Sequence, residues 1–209
     1  MSAGPRPAPP LQLRGASWFS LRALVDPSPI AALAGAEDAG AVGSFLGRYG
    51  VGSAGDGEGE PLARLRAFLD RPSGAGPSRF SDGSFPIVYM GDAPETCLAE
   101  VAHHLGRALR ETAAAKVRTH YFLLARFRVA GEVLDVRKGF PALHRAEDWL
   151  PAQAFGRRAA SEARAGITYR AVRRKGSENL GVLRGELVRA GARMQVVGLR
   201  WDGAGVKGV

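Results

Sequence analysis

Apolar residues recur at helical spacing from Leu98 through Val101, Ala102 and Leu105 to Leu109, which predicts an amphipathic helix. Just ahead of it Asp92 suits an N-cap, and Glu95 three residues on completes a capping-box pattern. Residues 61–70 (PLARLRAFLD) read as a short helix with Pro61 at its start, and residues 152–165 as a further helix closed by Gly166. Strands are predicted at 86–90 (PIVYM), at 121–130 and 132–136 with Gly131 between them, and at about 167–173, 180–184 and 193–200. Residues 18–35 carry mixed apolar signals broken by Pro27 and Pro29, and residues 50–61 (GVGSAGDGEGEP) read as a flexible loop. Residues 1–15 are Pro-rich and are expected to be a disordered N-terminus before a single domain over 16–209. Neither an internal repeat nor strict β-α alternation occurs. The order of elements therefore predicts an α+β fold with largely antiparallel, mixed sheets and flanking helices.

Composition narrows the class of protein. The chain has 209 residues, 45% of them hydrophobic, which suits one domain with a sizeable core. No run of about 18 apolar residues occurs, so no membrane span is expected. The N-terminal segment MSAGPRPAPPLQLRG has no apolar h-region of the secretory type. Cys97 is the one cysteine, so no internal disulfide can form, and these features together point to the cytoplasm. The formal charge is +9. Residues 151–209 hold 12 Lys and Arg against 4 Asp and Glu, so +8 of the excess lies there. Such a surface suits phosphate-bearing ligands, nucleic acid or an acidic protein partner.

Several apparent motifs carry no chemistry. Gly50, Gly52 and Gly55 spell G-x-G-x-x-G, but DGEGEP follows where a dinucleotide site needs a helix N-terminus for the pyrophosphate. His103 and His104 are adjacent and cannot chelate one ion together on a helix, and His120 and His144 lack ligand-spaced companions; no metal site is expected. Cys97 lies on the predicted helix and reads as a small buried hydrophobe.

The informative stretch is 79–104, RFSDGSFPIVYMGDAPETCLAEVAHH. Arg79 precedes a turn of Ser, Asp and Gly, from which its guanidinium could grip a phosphate bidentately. Tyr89 ends a strand and could stack on a ring or donate a hydrogen bond. On a helical wheel Glu100 sits roughly opposite the stripe of Leu98, Val101, Leu105 and Leu109, so periodicity alone makes it a solvated glutamate on the outer face.

R-F-S-D-G-S-F, a strand ending in Tyr, then E-T-x-x-A-E with a His pair close behind, resembles the core signature of the RES-domain family, named for an arginine, a glutamate and a serine. The first two fall on Arg79 and Glu100, and the intervening tyrosine on Tyr89. A second block, GITYRAVRRKGSENLGVL at 166–183, resembles the family's late segment and brings in Tyr169. A weaker match at LRALVDPSPI places Arg22 at an early family arginine. One departure stands out: the family's serine follows the tyrosine by two positions, where this chain has Ala171, and neither Ser177 nor Ser81 matches that position.

The resemblance implies an ADP-ribosyltransferase-like fold and the toxin of a toxin–antitoxin pair whose antitoxin carries a helix-turn-helix domain. It implies cleavage of the nicotinamide–ribose bond of NAD+ by a glycohydrolase, a phosphorylase or an ADP-ribosyltransferase reaction. NAD+ is then a substrate, with no metal and no resident cofactor. Glu100, Arg79 and Tyr89 would be catalytic, and Arg22, Phe80 and Tyr169 would bind substrate. The expected partners are NAD+ and the antitoxin, without a membrane and without direct nucleic-acid contact. Two alternatives stay open: an impaired RES-fold binding module, which Ala171 would explain, and a basic nucleic-acid-binding protein using Tyr169, Trp201 and the C-terminal arginines.

Overall fold

The computed structural model describes residues 7–23, 61–74, 76–111 and 117–208, with the side chains of residues 22 and 23 left aside. The expected loop at 50–61 up to its last residue, the G-x-G-x-x-G run and residues 24–35 lie outside the described residues, while Pro61 already belongs to a helix. The described residues form seven strands: β1 (Pro10–Ala23), β2 (Val88–Gly91), β3 (Arg118–Asp135), β4 (Gly166–Arg170), β5 (Glu178–Val182), β6 (Val188–Trp201) and β7 (Val206–Gly208). Among the described residues three α-helices accompany them: α1 (Pro61–Leu69), α2 (Pro94–Glu111) and α3 (Leu150–Ser161). The sheet runs β1-β2-β5-β4-β3-β6-β7, and β1 also pairs with β3, so β1, β2, β5, β4 and β3 close on one another. Among these strands only β3 and β4 pair in parallel, through Leu134 with Ile167 and Asp135 with Thr168. The architecture is thus the α+β, largely antiparallel class with flanking helices that the pattern predicts.

Several boundaries differ from the sequence reading. Pro10–Gly15, expected to be disordered, belong to β1, and Pro10 through Arg14 pair along β3 from Leu134 to Ala130, which gives the segment backbone partners. The two strands expected on either side of Gly131 are a single strand of 18 residues. A lone glycine is too short for a hairpin loop. Gly131 instead adopts φ 145° within β3 opposite Leu13, a conformation that L side chains rarely take. Helix α3 ends at Ser161, four residues before the expected stop. Its exit uses Ala163 at φ 54°, with Ala163 N–H bonded to Ala160 O and Arg164 N–H to Ala159 O, while Gly166 opens β4.

Three buried clusters form the core. Trp18, Phe127, Val129, Val133, Leu180 and Val182 pack with Leu65, Phe68 and Leu69 of α1. Leu21, Phe122, Leu124, Leu199 and Trp201 pack with Cys97, Val101, Leu105 and Leu109 of α2. Phe80, Ile87, Ile167 and Tyr169 pack with Ala152, Phe155 and Ala159 of α3. Phe122 and Leu124 meet α2, whereas Phe127 and Val129 belong to the cluster around α1, so the long strand β3 serves both. Among the described residues no helix is long and apolar enough to cross a membrane.

Candidate functional site

Strand alternation builds the floor of a cleft. Tyr89 pairs with Gly181 and Gly91 with Asn179 between β2 and β5, and Tyr169 pairs with Asn179 between β4 and β5. Directly paired residues share a sheet face, so Tyr89, Gly91, Tyr169 and Asn179 lie on one side. Met90 and Leu180 point the other way, into the core. Above this floor lies a partly open cleft. Arg79, Tyr89, Glu100, His104, Trp149 and Asn179 are among the residues lining it, and Tyr169 joins them.

Helix α2 supplies one wall. Its start differs from a capping box: the Asp92 carboxylate accepts from the Thr96 hydroxyl at 2.6 Å and from Glu178 N–H at 2.9 Å, which ties the helix to β5. The apolar stripe of α2 packs on β1, β3, β6 and β7, and the adjacent Glu100 and His104 line the cleft. Glu100 is therefore not the outward glutamate of the helical wheel. Its side chain is 19% exposed, with Oε1 accepting from Asn179 Nδ2 at 3.0 Å and Oε2 lying 3.9 Å from His104 Nε2. His104 packs edge-on to Trp149, with centroids 6.0 Å apart, and Trp149 donates its indole N–H to Ala146 O at 3.1 Å.

Tyr89 and the loop at 78–81 hold one another. The Tyr89 hydroxyl accepts from Phe80 N–H at 2.9 Å and shares a 2.9 Å bond with Ser78 Oγ. Gln153 of α3 donates to Ser78 O at 3.0 Å. Burial pushes the Tyr89 phenol up to about 12, so it is neutral at physiological pH. The half-buried Arg79 donates through Nη1 to Arg145 O at 2.8 Å and Leu143 O at 3.3 Å. Its guanidinium carries five donors and has no carboxylate partner among the described residues, so bonding capacity remains for an anion. Behind it, His144 bonds Phe140 O through Nδ1 at 2.9 Å and accepts from Arg170 N–H at 3.2 Å through Nε2, which fixes a neutral ring. Burial, then the nearby Arg170 and Arg79 charges, pull its pKa below the ordinary histidine range.

The remaining residues of interest fall as follows. Phe80 does not line the cleft; it is fully buried, 4.9 Å from Tyr169 and 6.3 Å from Phe155, and it contributes through its backbone N–H. Arg22 pairs through its backbone with Leu123, and its side chain lies outside the described atoms. Cys97 lines the cleft wall, but its thiol donates to Phe19 O and burial pushes it up to about 12, in keeping with an inert buried hydrophobe. Ala171 and Ser177 lie beyond Tyr169 and Asn179 in a neighbouring groove with Lys138, Arg170 and Lys175. There Arg137 is occupied by Asp135 and Glu178. Among the described residues no group of three or more His, Cys, Asp or Glu could hold a metal ion. Trp149 and Asn179 were not singled out from the sequence. Asn179 fell just outside the strand expected at 180–184; a strand begun at Glu178 would have set it on the face of Tyr169.

The fold and the cleft define an α+β domain that gathers an arginine, two tyrosines and a glutamate from four separate segments. The chain belongs to the RES domain family, whose model matches residues 60–202. A chain in the crystal structure of the M. tuberculosis MbcT-MbcA toxin-antitoxin complex aligns with a TM-score of 0.47 at 16% identity, over 88% of this chain and 86% of that one. No curated protein matches the chain in sequence.

Proposed function

We propose that this protein is a RES-type toxin that cleaves the nicotinamide–ribose bond of NAD+. One observation carries the reading: Arg79, Tyr89 and Glu100, separated by up to 21 residues of sequence, line a single cleft. Family membership supports it, because that residue set is the one through which the chain resembles the family.

The chemistry fits these residue types. The ribose C1′–nitrogen bond breaks, its electron pair leaves with neutral nicotinamide, and positive charge spreads over C1′ and the ring oxygen. An acceptor oxygen from water, phosphate or a protein side chain then bonds C1′ and gives up its proton. Glu100, the carboxylate on the cleft wall, would stabilise the developing oxocarbenium charge. Arg79 would hold the pyrophosphate with the donors that its two carbonyl bonds leave over. Tyr89, kept neutral, would offer its ring to the nicotinamide riboside while its hydroxyl holds the Arg79 loop. NAD+ is consumed as a substrate. Unchecked loss of NAD+ would damage the host, so the proposal includes an antitoxin that closes the cleft. The net charge of +9 favours an acidic contact surface on it.

The test is nicotinamide release from NAD+ by the purified protein, in water, with added phosphate and with protein acceptors. Release in any of the three supports the reading and identifies the acceptor. A folded protein that releases none in all three refutes it.

A further inference from the structure

We infer that Asn179 is a positioning residue that orients the Glu100 carboxylate for the reaction proposed above, on which this inference rests. Asn179 is 3% exposed, in a strand whose neighbours Leu180 and Val182 are core residues. A polar amide buried at such a place destabilises the fold unless it is hydrogen-bonded. Its partner is Glu100: Nδ2 donates to Oε1 at 3.0 Å, from β5 to α2 across 79 residues of sequence. Chemistry fixes the direction, because an ionised carboxylate only accepts and must face the NH2 end of the amide.

The bond matters for geometry. Glu100 sits on a helix wall with three rotatable side-chain bonds, and a free carboxylate there would sample several positions. One oxygen is pinned by Asn179 while the other lies on the His104 side, so the carboxylate plane is set from the cleft floor. The floor itself is rigid: Asn179 pairs with Tyr169 in β4 and with Gly91 in β2, and the Asp92–Glu178 bonds lock the start of α2 to the same strand. An electrostatic group aids a transition state most when it is already oriented and nothing need reorganise during the reaction.

The experiment compares Asn179→Ala and Asn179→Asp with the unaltered protein in the nicotinamide-release assay from pH 5 to pH 9. Asn179→Ala removes the donor and should lower kcat by about 10- to 100-fold with KM changed by less than about threefold, since substrate does not bond through this contact. Asn179→Asp is nearly isosteric and sets two carboxyls against each other, so the pair shares one proton. The protonated aspartic acid can still donate to Glu100, which preserves activity at low pH. As that proton leaves, activity should fall on the alkaline side, giving a limb absent from the unaltered protein. A merely structural asparagine would lower the melting temperature without adding that limb. Should Asn179→Ala fold poorly, Asn179→Asp and the Glu100→Gln/Asn179→Asp pair decide, because with Glu100 replaced the alkaline limb should vanish. Variants with unaltered kcat and an Asn179→Asp profile that superimposes on the parent would overturn the inference and leave the NAD+ reading standing. An inactive parent would overturn both.

Discussion

Gly156→Ala tests the packing that underlies the whole site. Gly156 is buried in α3, and a Cβ built there would stand 1.8 Å from the carbonyl oxygen of Phe80 and 2.8 Å from its carbon. Real Cβ atoms essentially never come within 3.0 Å of such a neighbour, so helix and loop must separate by at least 1.2 Å. The loop cannot yield cheaply. Phe80 is fully buried, its N–H bonds Tyr89 at 2.9 Å, and Gln153 one turn earlier bonds Ser78 O at 3.0 Å. Overpacking costs about 1–3 kcal/mol, and loss of the two hydrogen bonds about 0.5–1.5 kcal/mol each. Helix propensity opposes this, since Ala is better than Gly by about 1 kcal/mol. The net destabilisation is about 3 kcal/mol, which lowers Tm by roughly 6–12 °C for a domain of this size. Ala154→Gly, at an exposed position of the same helix, provides the contrast: there glycine should cost about 1 kcal/mol by propensity alone. Thermal melts followed by circular dichroism read both, and nicotinamide release should fall in Gly156→Ala because the displaced loop carries Arg79. A Gly156→Ala protein that melts at or above the parent would show that propensity outweighs the contact and would refute the packing argument.

Three further predictions address charge. Glu100→Gln keeps size but removes the negative charge that matters only in the transition state, so kcat in the nicotinamide assay should drop on the order of 10²-fold or more while KM changes little. Arg79→Lys keeps the charge but loses the planar fork that serves Arg145 O and Leu143 O and an incoming phosphate, so steady-state kinetics should show mainly a raised KM, by about 10-fold. His120 has its pKa lowered from 6.5 to about 4 by burial and then by Arg118, and its Nε2 is buried without a partner. The unfolded chain therefore takes up this proton first. The stability tied to neutral His120 is full above pH 6.5 and is lost as pH falls from there toward 4, by at most about 3 kcal/mol and less where solvent screens the ring. Urea melts at pH 7.5, 6 and 4.5 should show a smaller acid loss in His120→Gln than in the parent, and equal losses would exclude His120 as the cause.

The fold was legible where one physical cause acts alone. The apolar stripe of α2 is set by burial against the sheet, and that helix stands where periodicity puts it; β3 covers both strands expected on either side of Gly131 but runs through the glycine. The misplaced boundaries lie where tertiary contacts override local signals. Pro10–Gly15 look like coil by composition, yet β3 supplies a partner for every residue but Gly15, where the register slips. Gly166 looks like a helix stop, yet the backbone turns earlier through Ala163, and the glycine is needed as the buried first residue of β4. The 14-residue β6 and the short β7 owe their extent to pairing with β3 and with each other, which no local pattern announces.

The site was legible in its residue types and illegible in its directions. A helical wheel weighs a glutamate against a single buried face, and by that measure Glu100 belongs in water. Helix α2 has a second covered face: β5 reaches it through Asn179 and Glu178, and the segment before α3 reaches it through Trp149. A polar residue on that face is shielded without being in the core, which is the environment a functional carboxylate needs. Phe80 shows the converse. As an aromatic beside Arg79 it suggests a ligand platform, but α3 covers it completely and leaves only its N–H to serve Tyr89. Besides Tyr89 and Tyr169, the aromatic surface that does face the cleft is Trp149, 69 residues after Phe80, placed by the Ala146 bond and the His104 contact. Spacing within 79–104 thus identifies the groups that carry charge, while the groups that aim them come from β5 and the approach to α3 and become visible only when the strands are paired.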